Sequence, residues 1–243
     1  MTLTFDEECK LNAARMATSQ DINHLTMDWI CKTAHYKYTY NFKWLGRPII
    51  QFPQDMFAMQ EIIWNTRPNL IIETGIAHGG SLIFYASMME LIGDDGVVLG
   101  IDVDIRKHNR KEIESHRMFH RIAMLEGSST DDAVVKEVYR LAEGKRKVLV
   151  ALDSNHTHEH VLGELEKYSP LVKKGSYIVV FDTIIESMPA DSFPDRPWNR
   201  GNSPMTAVQE FLKSTDRFAV DKETENKLLI TVAPTGYLKC IKD

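Results

Sequence analysis

Cysteine is scarce in this chain of 243 residues: it has three, Cys9, Cys31 and Cys240. An odd, scattered set cannot build a disulfide framework, so a reducing compartment is expected. Long apolar runs are missing as well, and no uninterrupted stretch reaches the ~20 residues that a membrane-spanning helix needs. The opening MTLTFDEECK carries acids where a secretory leader carries bases and has no apolar core, which predicts a cytoplasmic protein without a leader. Positive charge is not in excess. A formal net charge of -5 argues against non-specific binding to nucleic acid. Repeats and low-complexity tracts are absent too, which excludes solenoids and disordered tails. What is present is a globular composition, 43% hydrophobic and 26% charged, in a chain long enough to bury a substantial core.

Hydrophobic periodicity supplies the architecture. Residues from about 6 to 35 read as an amphipathic helix, marked by Leu11, Ala14, Met16, Ile22, Leu25, Trp29 and Ile30. The aromatic tract YKYTYNFKWLGRPIIQFPQD follows, irregular and punctuated by Pro48 and Pro53. A helical pattern then runs from Asp55 through Met59, Ile62, Ile63 and Trp64 to Pro68. Beyond it strands and helices alternate: LIIET, a helix over 80–92, VVLGID, a polar helix over 106–115, RIAMLEG, a helix over 131–142, KVLVALD, a helix over 159–168, and YIVVFD. Such alternation means βαβ units and a parallel sheet. KLLITV and YLKCI, joined by Pro234, Thr235 and Gly236, are read as an antiparallel hairpin that closes the sheet. The expected fold is therefore α/β and Rossmann-like, a mostly parallel seven-stranded sheet with helices on both faces and a C-terminal antiparallel hairpin. Residues 1–54 are expected to form a helical and aromatic extension, a substrate cap or an oligomer contact, and 55–243 the main domain.

Four apolar runs end in acids: Glu73, Asp102, Asp153 and Asp182. Carboxyl ends of parallel strands face the crevice where open α/β sheets bind ligands. Glu73 opens the turn Glu73-Thr74-Gly75-Ile76-Ala77-His78-Gly79-Gly80-Ser81, whose Gly75, Gly79 and Gly80 allow close approach of a ligand to the backbone. A dinucleotide turn wants glycine where Ala77 stands, and Glu73 repels phosphate while attracting ammonium. Asp102 is placed to accept from ribose hydroxyls. An amino-acid-bearing, phosphate-free nucleoside fits this turn, and S-adenosylmethionine (SAM) has those parts. A nicotinamide-dependent oxidoreductase is the competing reading, disfavoured by Ala77 and Glu73, and a buried structural turn is the plain one.

Asp153 and Asp182 close strands expected to be neighbours, and two converging carboxylates suit Mg²⁺. Alternatively Asp153 merely caps the helix after it. His156, His158 and His160 raise zinc, but alternate residues on a helix face different ways and no cysteine completes a tetrahedron.

The combination of IIETGIAHGGS, GID, EGSSTD, LDSNHTHEHV and VVFDT with a Pro/Trp-rich loop and GYLK resembles the cephalosporin hydroxylase family over about residues 44–238. Despite that name, its members are similar to class I SAM-dependent methyltransferases and include metal-dependent macrolide and rhamnosyl sugar O-methyltransferases. The resemblance implies a SAM-dependent O-methyltransferase acting on a sugar hydroxyl, with Mg²⁺, in a homo-oligomer. A more distant likeness to catechol O-methyltransferase implies Glu73 for the methionine amine, Ser81 for its carboxylate, Asp102 for the ribose and Ser129 for the adenine edge, with Asp153 bordering both cofactor and metal. The sugar methyltransferases imply His156 as general base. Family members often carry Glu before the second metal Asp, where this chain has Phe181. The third ligand is then Glu186 from the next loop, Thr183 by the catechol likeness, or water. A cofactor-binding protein without catalysis is the reading that Phe181 keeps open. No 2-His-1-carboxylate triad for hydroxylation can be placed.

Residues 186–205, ESMPADSFPDRPWNRGNSPM, are too long for a simple connector and read as a lid. In it Trp198 could stack on a sugar face, while Asp191, Asp195, Arg196 and Asn199 could bond hydroxyls. Tyr36, Tyr38, Tyr40, Trp44, Arg47 and Gln51 could cover the same cleft or serve packing.

Overall fold

In a computed structural model, which describes residues 3–243, the chain opens with two helices rather than one, α1 (Phe5–Thr18) and α2 (Gln20–Ala34). Ser19 divides them because its hydroxyl accepts from the Ile22 amide and caps α2. α1 buries no residue and Leu25 of α2 is exposed, so several of the apolar markers in this region face outward. Ile30 is the buried anchor of α2.

The aromatic tract is more ordered than its irregular sequence suggests. It forms a 3-10 turn over Tyr38–Asn41 and then a hairpin of β1 (Phe42–Trp44) and β2 (Arg47–Ile49). Leu45 and Gly46 make its two-residue turn, both with positive φ, as tight hairpins require. The Trp44 indole donates to Ser87 at 3.0 Å and packs edge-on against Phe84. Ile30, Ile49 and Phe52 join the main core, so α2 and the hairpin pack onto the α3/α4 layer, while α1 buries no residue.

The expected alternation follows: α3 (Pro53–Thr66), β3 (Leu70–Thr74), α4 (Gly80–Ile92), β4 (Val97–Asp102), α5 (Lys107–Glu114), β5 (Ile122–Glu126), α6 (Asp132–Ala142), β6 (Val148–Leu152), α7 (His158–Tyr168) and β7 (Tyr177–Val180). After the long loop come α8 (Pro204–Ser214), β8 (Phe218–Val220), α9 (Lys222–Leu228) and β9 (Tyr237–Cys240). The seven-stranded sheet has the order β5-β4-β3-β6-β7-β9-β8, with β9 antiparallel to both of its neighbours. β3, β6 and β7 are buried along their whole length, as central parallel strands are. Side chains alternate between two cores: Ile71 faces the α3/α4 layer, while Leu70 and Ile72 face α6, α7 and α8.

The terminal antiparallel pair is present, but its first arm is Phe218–Val220 and not KLLITV. Asp221 caps α9 through the amides of Glu223 and Thr224, which turns the start of that run into helix. Thr231 and the Val232 amide then donate to the buried Asp55 carboxylate instead of to a strand partner. The order of the sheet reverses between β3 and β6. That switch point is where a ligand crevice opens.

Candidate active site

Gly75 leaves β3 with φ +91°, and a Cβ there would lie 2.0 Å from the Asp153 carbonyl oxygen. A Cβ on Gly80 would strike the Pro48 carbonyl at 2.1 Å, so the β1–β2 hairpin sits directly on the start of α4. These glycines are demanded first by packing within the protein. Gly79, also at positive φ, packs over Ile113, while Gly75, Gly80 and Ser81 line the cleft.

Residues distant in sequence hold the turn itself. Asp102 accepts from the amides of Ile76 (2.8 Å) and Ala77 (3.2 Å), and its other oxygen from Asp104. Ala77 is kept at φ +46°, and its carbonyl accepts from Asn109 at 2.9 Å. Arg47 donates twice to the His78 carbonyl and once to Asn109. Two sequence-remote donors thus lock a conformation that costs an alanine about 1 kcal/mol or more. Glu73 is 1% exposed and accepts from the Ser81 hydroxyl at 2.7 Å. Burial pushes its carboxyl up to about 8, against the pull of hydrogen bonds from Ser81 and Tyr85.

Across the crevice, Asp153, His156 and Asp182 each offer a ligand atom within 4.8 Å of the others. His156 Nε2 lies 3.1 Å from Asp182 Oδ2, and the lid residue Trp198 meets the imidazole edge-on at 4.7 Å. Asp182 itself adopts φ +55°, a strained setting that turns it out of the strand. Burial, then the charges of Asp182 and Glu73, raise the Asp153 carboxyl well above the ordinary carboxylate range, while Gln51 donates to it at 3.2 Å. Two acids and an imidazole so disposed suit a divalent cation: the crowding that burdens them alone would be relieved by it. Asp153 is no helix cap, since α7 begins after Thr157.

The other expected residues lie elsewhere. Glu186 is drawn into the lid, accepting from the Gly201 amide and the Ser203 hydroxyl, and stands outside the three-residue group. The Thr183 hydroxyl is buried and donates to the Pro234 carbonyl, and Phe181 packs in the core. Ser129 is 4% exposed and does not line the cleft. Its hydroxyl meets His160 and the buried Glu164, which also bind Ser154. His158 pairs with Thr206 and Glu210, which disperses the three histidines and removes the zinc alternative.

A cleft of about 870 Å³ joins the Gly-rich turn to the acidic group, and its rim includes Thr33, Lys37, Tyr38, Arg196 and Trp198. That volume accommodates a nucleoside cofactor with an acceptor beside it. Over residues 36–241 the sequence matches the model of one family, Rhamnosyl O-methyltransferase/CmcI. The chain belongs to this family. Among curated relatives, the Rhamnosyl O-methyltransferase of Mycobacterium bovis (strain BCG / Pasteur 1173P2) is 32% identical over 218 residues, 87% of this chain and 85% of its own. Its counterpart from Mycobacterium leprae (strain TN) is 30% identical, covering 87% and 90%. A solved CmcI structure with Mg and SAM superposes with TM-score 0.59 at 18% identity, over 83% of this chain and 77% of that one. The O-methyltransferase TomG from Streptomyces achromogenes, in complex with SAM, gives 0.55 at 14% identity and 90% of both chains. These two likenesses establish the class I Rossmann-like fold.

Within the rhamnosyl O-methyltransferase/CmcI fold of this chain, sequence reading left Asn109 out and gave Arg47 and Gln51 no definite part. A single polar residue in α5 or in an aromatic tract carries no periodic signal. Only the fold brings it to the turn.

Proposed function

We propose that this protein is a SAM-dependent O-methyltransferase of a sugar hydroxyl, assisted by Mg²⁺. The observation that carries the reading is the joining, in one cleft, of the Gly-rich turn that follows the buried Glu73 and the Asp153–His156–Asp182 group. Relatives named for rhamnosyl methylation support a deoxysugar or related glycoside as acceptor.

Glu73 and Ser81 bind the amino-acid end of the cofactor, Asp102 the ribose, and the backbone from Gly75 to Gly80 the space between. When bound, the cofactor would supply an electrophilic sulfonium methyl, and a cation held by Asp153 and Asp182 would supply Lewis acidity that lowers the pKa of the acceptor hydroxyl. Asp182 holds Nε2 of His156, which leaves Nδ1 to take the acceptor proton, and the carboxylate stabilises the imidazolium so formed. Held by Glu73, Ser81 and Asp102, the cofactor would supply the methyl that the acceptor oxygen takes, its sulfonium becoming a neutral thioether. Trp198 orients the sugar face and, with the rim of α2 and the 3-10 turn, excludes water.

Calorimetric titration with SAM and separately with NAD, each with and without Mg²⁺, tests the reading. Micromolar SAM binding that Glu73→Ala abolishes is expected, together with O-methylation of rhamnosides that His156→Ala reduces by about a hundredfold or more. Preference for NAD, or SAM binding indifferent to Glu73, would overturn it. Turnover unchanged by His156→Ala would remove the base.

A further inference from the structure

We infer that Gln51 supplies a neutral carboxamide oxygen to the cation held by Asp153 and Asp182. The inference rests on the cation-assisted reading above and extends it to a residue outside the strand-end acids.

Gln51 follows β2 at the cleft wall and is 7% exposed. Its amide nitrogen donates to Asp153 Oδ2 at 3.2 Å, whereas Oε1 is buried with no hydrogen-bond partner among the described residues. An unanswered buried acceptor is costly, and a cation at this place would answer it. Of the polar side chains that follow Asp182, Thr183 is engaged with Pro234 and Glu186 with Gly201 and Ser203, while the Thr74 hydroxyl at the end of β3 is unpartnered like Gln51 Oε1. Phe181, beside Asp182, offers none. Gln51 is the free side-chain oxygen whose own amide group already touches Asp153, at a site with only two carboxylates, and Mg²⁺ prefers oxygen, leaving the imidazole of His156 for proton transfer.

The spacing agrees. Neighbouring oxygens on an octahedral Mg²⁺ at ~2.1 Å lie ~3.0 Å apart, close to the separation between the Gln51 amide and Asp153 Oδ2. A carboxamide presents nitrogen to a bare carboxylate and, after a half-turn about its last bond, oxygen to a cation in the same place. The backbone that carries it is fixed, because Pro48 abuts Gly80 and Arg47 holds His78. A ligand on so rigid a support is pre-organised.

The test is Mn²⁺ binding followed by electron paramagnetic resonance, with solvent-proton relaxation to count waters on the bound ion. It uses the full chain without SAM or acceptor. Gln51→Leu is expected to weaken Mn²⁺ by about tenfold or more, the cost of losing even an outer-shell partner, and to add one water to the ion. Gln51→Glu is expected to bind Mn²⁺ more tightly than wild type, and it decides the matter should Gln51→Leu fail to fold. Affinity and hydration unchanged in Gln51→Leu, or affinity not increased in Gln51→Glu, overturn the role of Gln51 while the cation reading stands. Wild type that binds no Mn²⁺, or binding indifferent to Asp182→Asn, overturns the cation and Gln51 with it.

Discussion

Glu73 sits where no water reaches it, with a carboxyl raised by burial to about 8. At pH 7 it is therefore mostly protonated in the free protein, although its proposed partner is an ammonium. Binding that partner favours the ionised form, and the proton must leave. Calorimetry at pH 7 in buffers of different ionisation enthalpy should show about one proton released per SAM, falling towards none by pH 9. Glu73→Gln should bind SAM more weakly and without buffer dependence. A binding enthalpy equal in all buffers at pH 7 would show that Glu73 does not meet the amine. The same raised value has a consequence for stability. The group favours the folded state fully below its ordinary value of 4.5, and that contribution is lost as pH rises through about 8. Bound cofactor should restore part of it at alkaline pH.

Elements explain what the sequence could and could not disclose. Glu73, Asp102, Asp153 and Asp182 were legible because each ends an apolar run, and strand ends in a parallel sheet share one crevice. Ser129 was assigned by likeness and Glu186 by its place in the loop after Asp182, and local contacts engage both: Glu186 ties the lid to the start of α8, and Ser129 joins a buried network with α7. KLLITV has the composition of a strand, but the cap at Asp221 and the carboxylate of Asp55 claim its backbone first. The clamp on the Gly-rich turn was hidden for a different reason, since Arg47 and His78 are adjacent only through the hairpin's seat on α4. This arrangement makes the hairpin part of the proposed cofactor site. Arg47→Ala should free the His78 carbonyl and let Ala77 relax from its positive φ. The expected result is SAM affinity lower by about tenfold, with acceptor KM and thermal stability little changed, measured by calorimetry and steady-state kinetics. Ala77→Gly, which tolerates that φ at no cost, should recover part of the loss in the double variant. Equal losses for cofactor and acceptor would show general loosening rather than a clamp.

For the whole molecule, the sheet ends in β9 and the edge strand β8, and one buried acid ties β9 to the N-terminal half. Asp55, near the start of α3 and 1% exposed, accepts from Tyr237 of β9, from Thr231 and from the Val232 amide. Burial raises its carboxyl to about 6 even against these three donors. A folded value above the ordinary 3.8 means that the acid favours folding fully below that ordinary value and less so as pH climbs through about 6. The shift amounts to roughly 3 kcal/mol at most. Asp55→Asn keeps the shape and can turn its oxygen to the Val232 amide, while the hydroxyls of Thr231 and Tyr237 rotate to accept from its nitrogen. It should cost less than about 1.5 kcal/mol near pH 5 and flatten the decline between pH 5 and 7. Asp55→Ala leaves three buried donors unanswered and should cost about 3–5 kcal/mol at pH 5 and less at pH 7, where the wild type has itself lost stability. Urea denaturation of the three proteins at pH 5, 6 and 7 separates these outcomes. A wild type whose stability does not fall over that range relative to Asp55→Asn would mean that the three donors outweigh burial and that Asp55 is ionised throughout. The tie between α3 and β9 would then hold by charge-assisted hydrogen bonds alone, and Asp55→Asn would lose more stability at pH 7 than at pH 5.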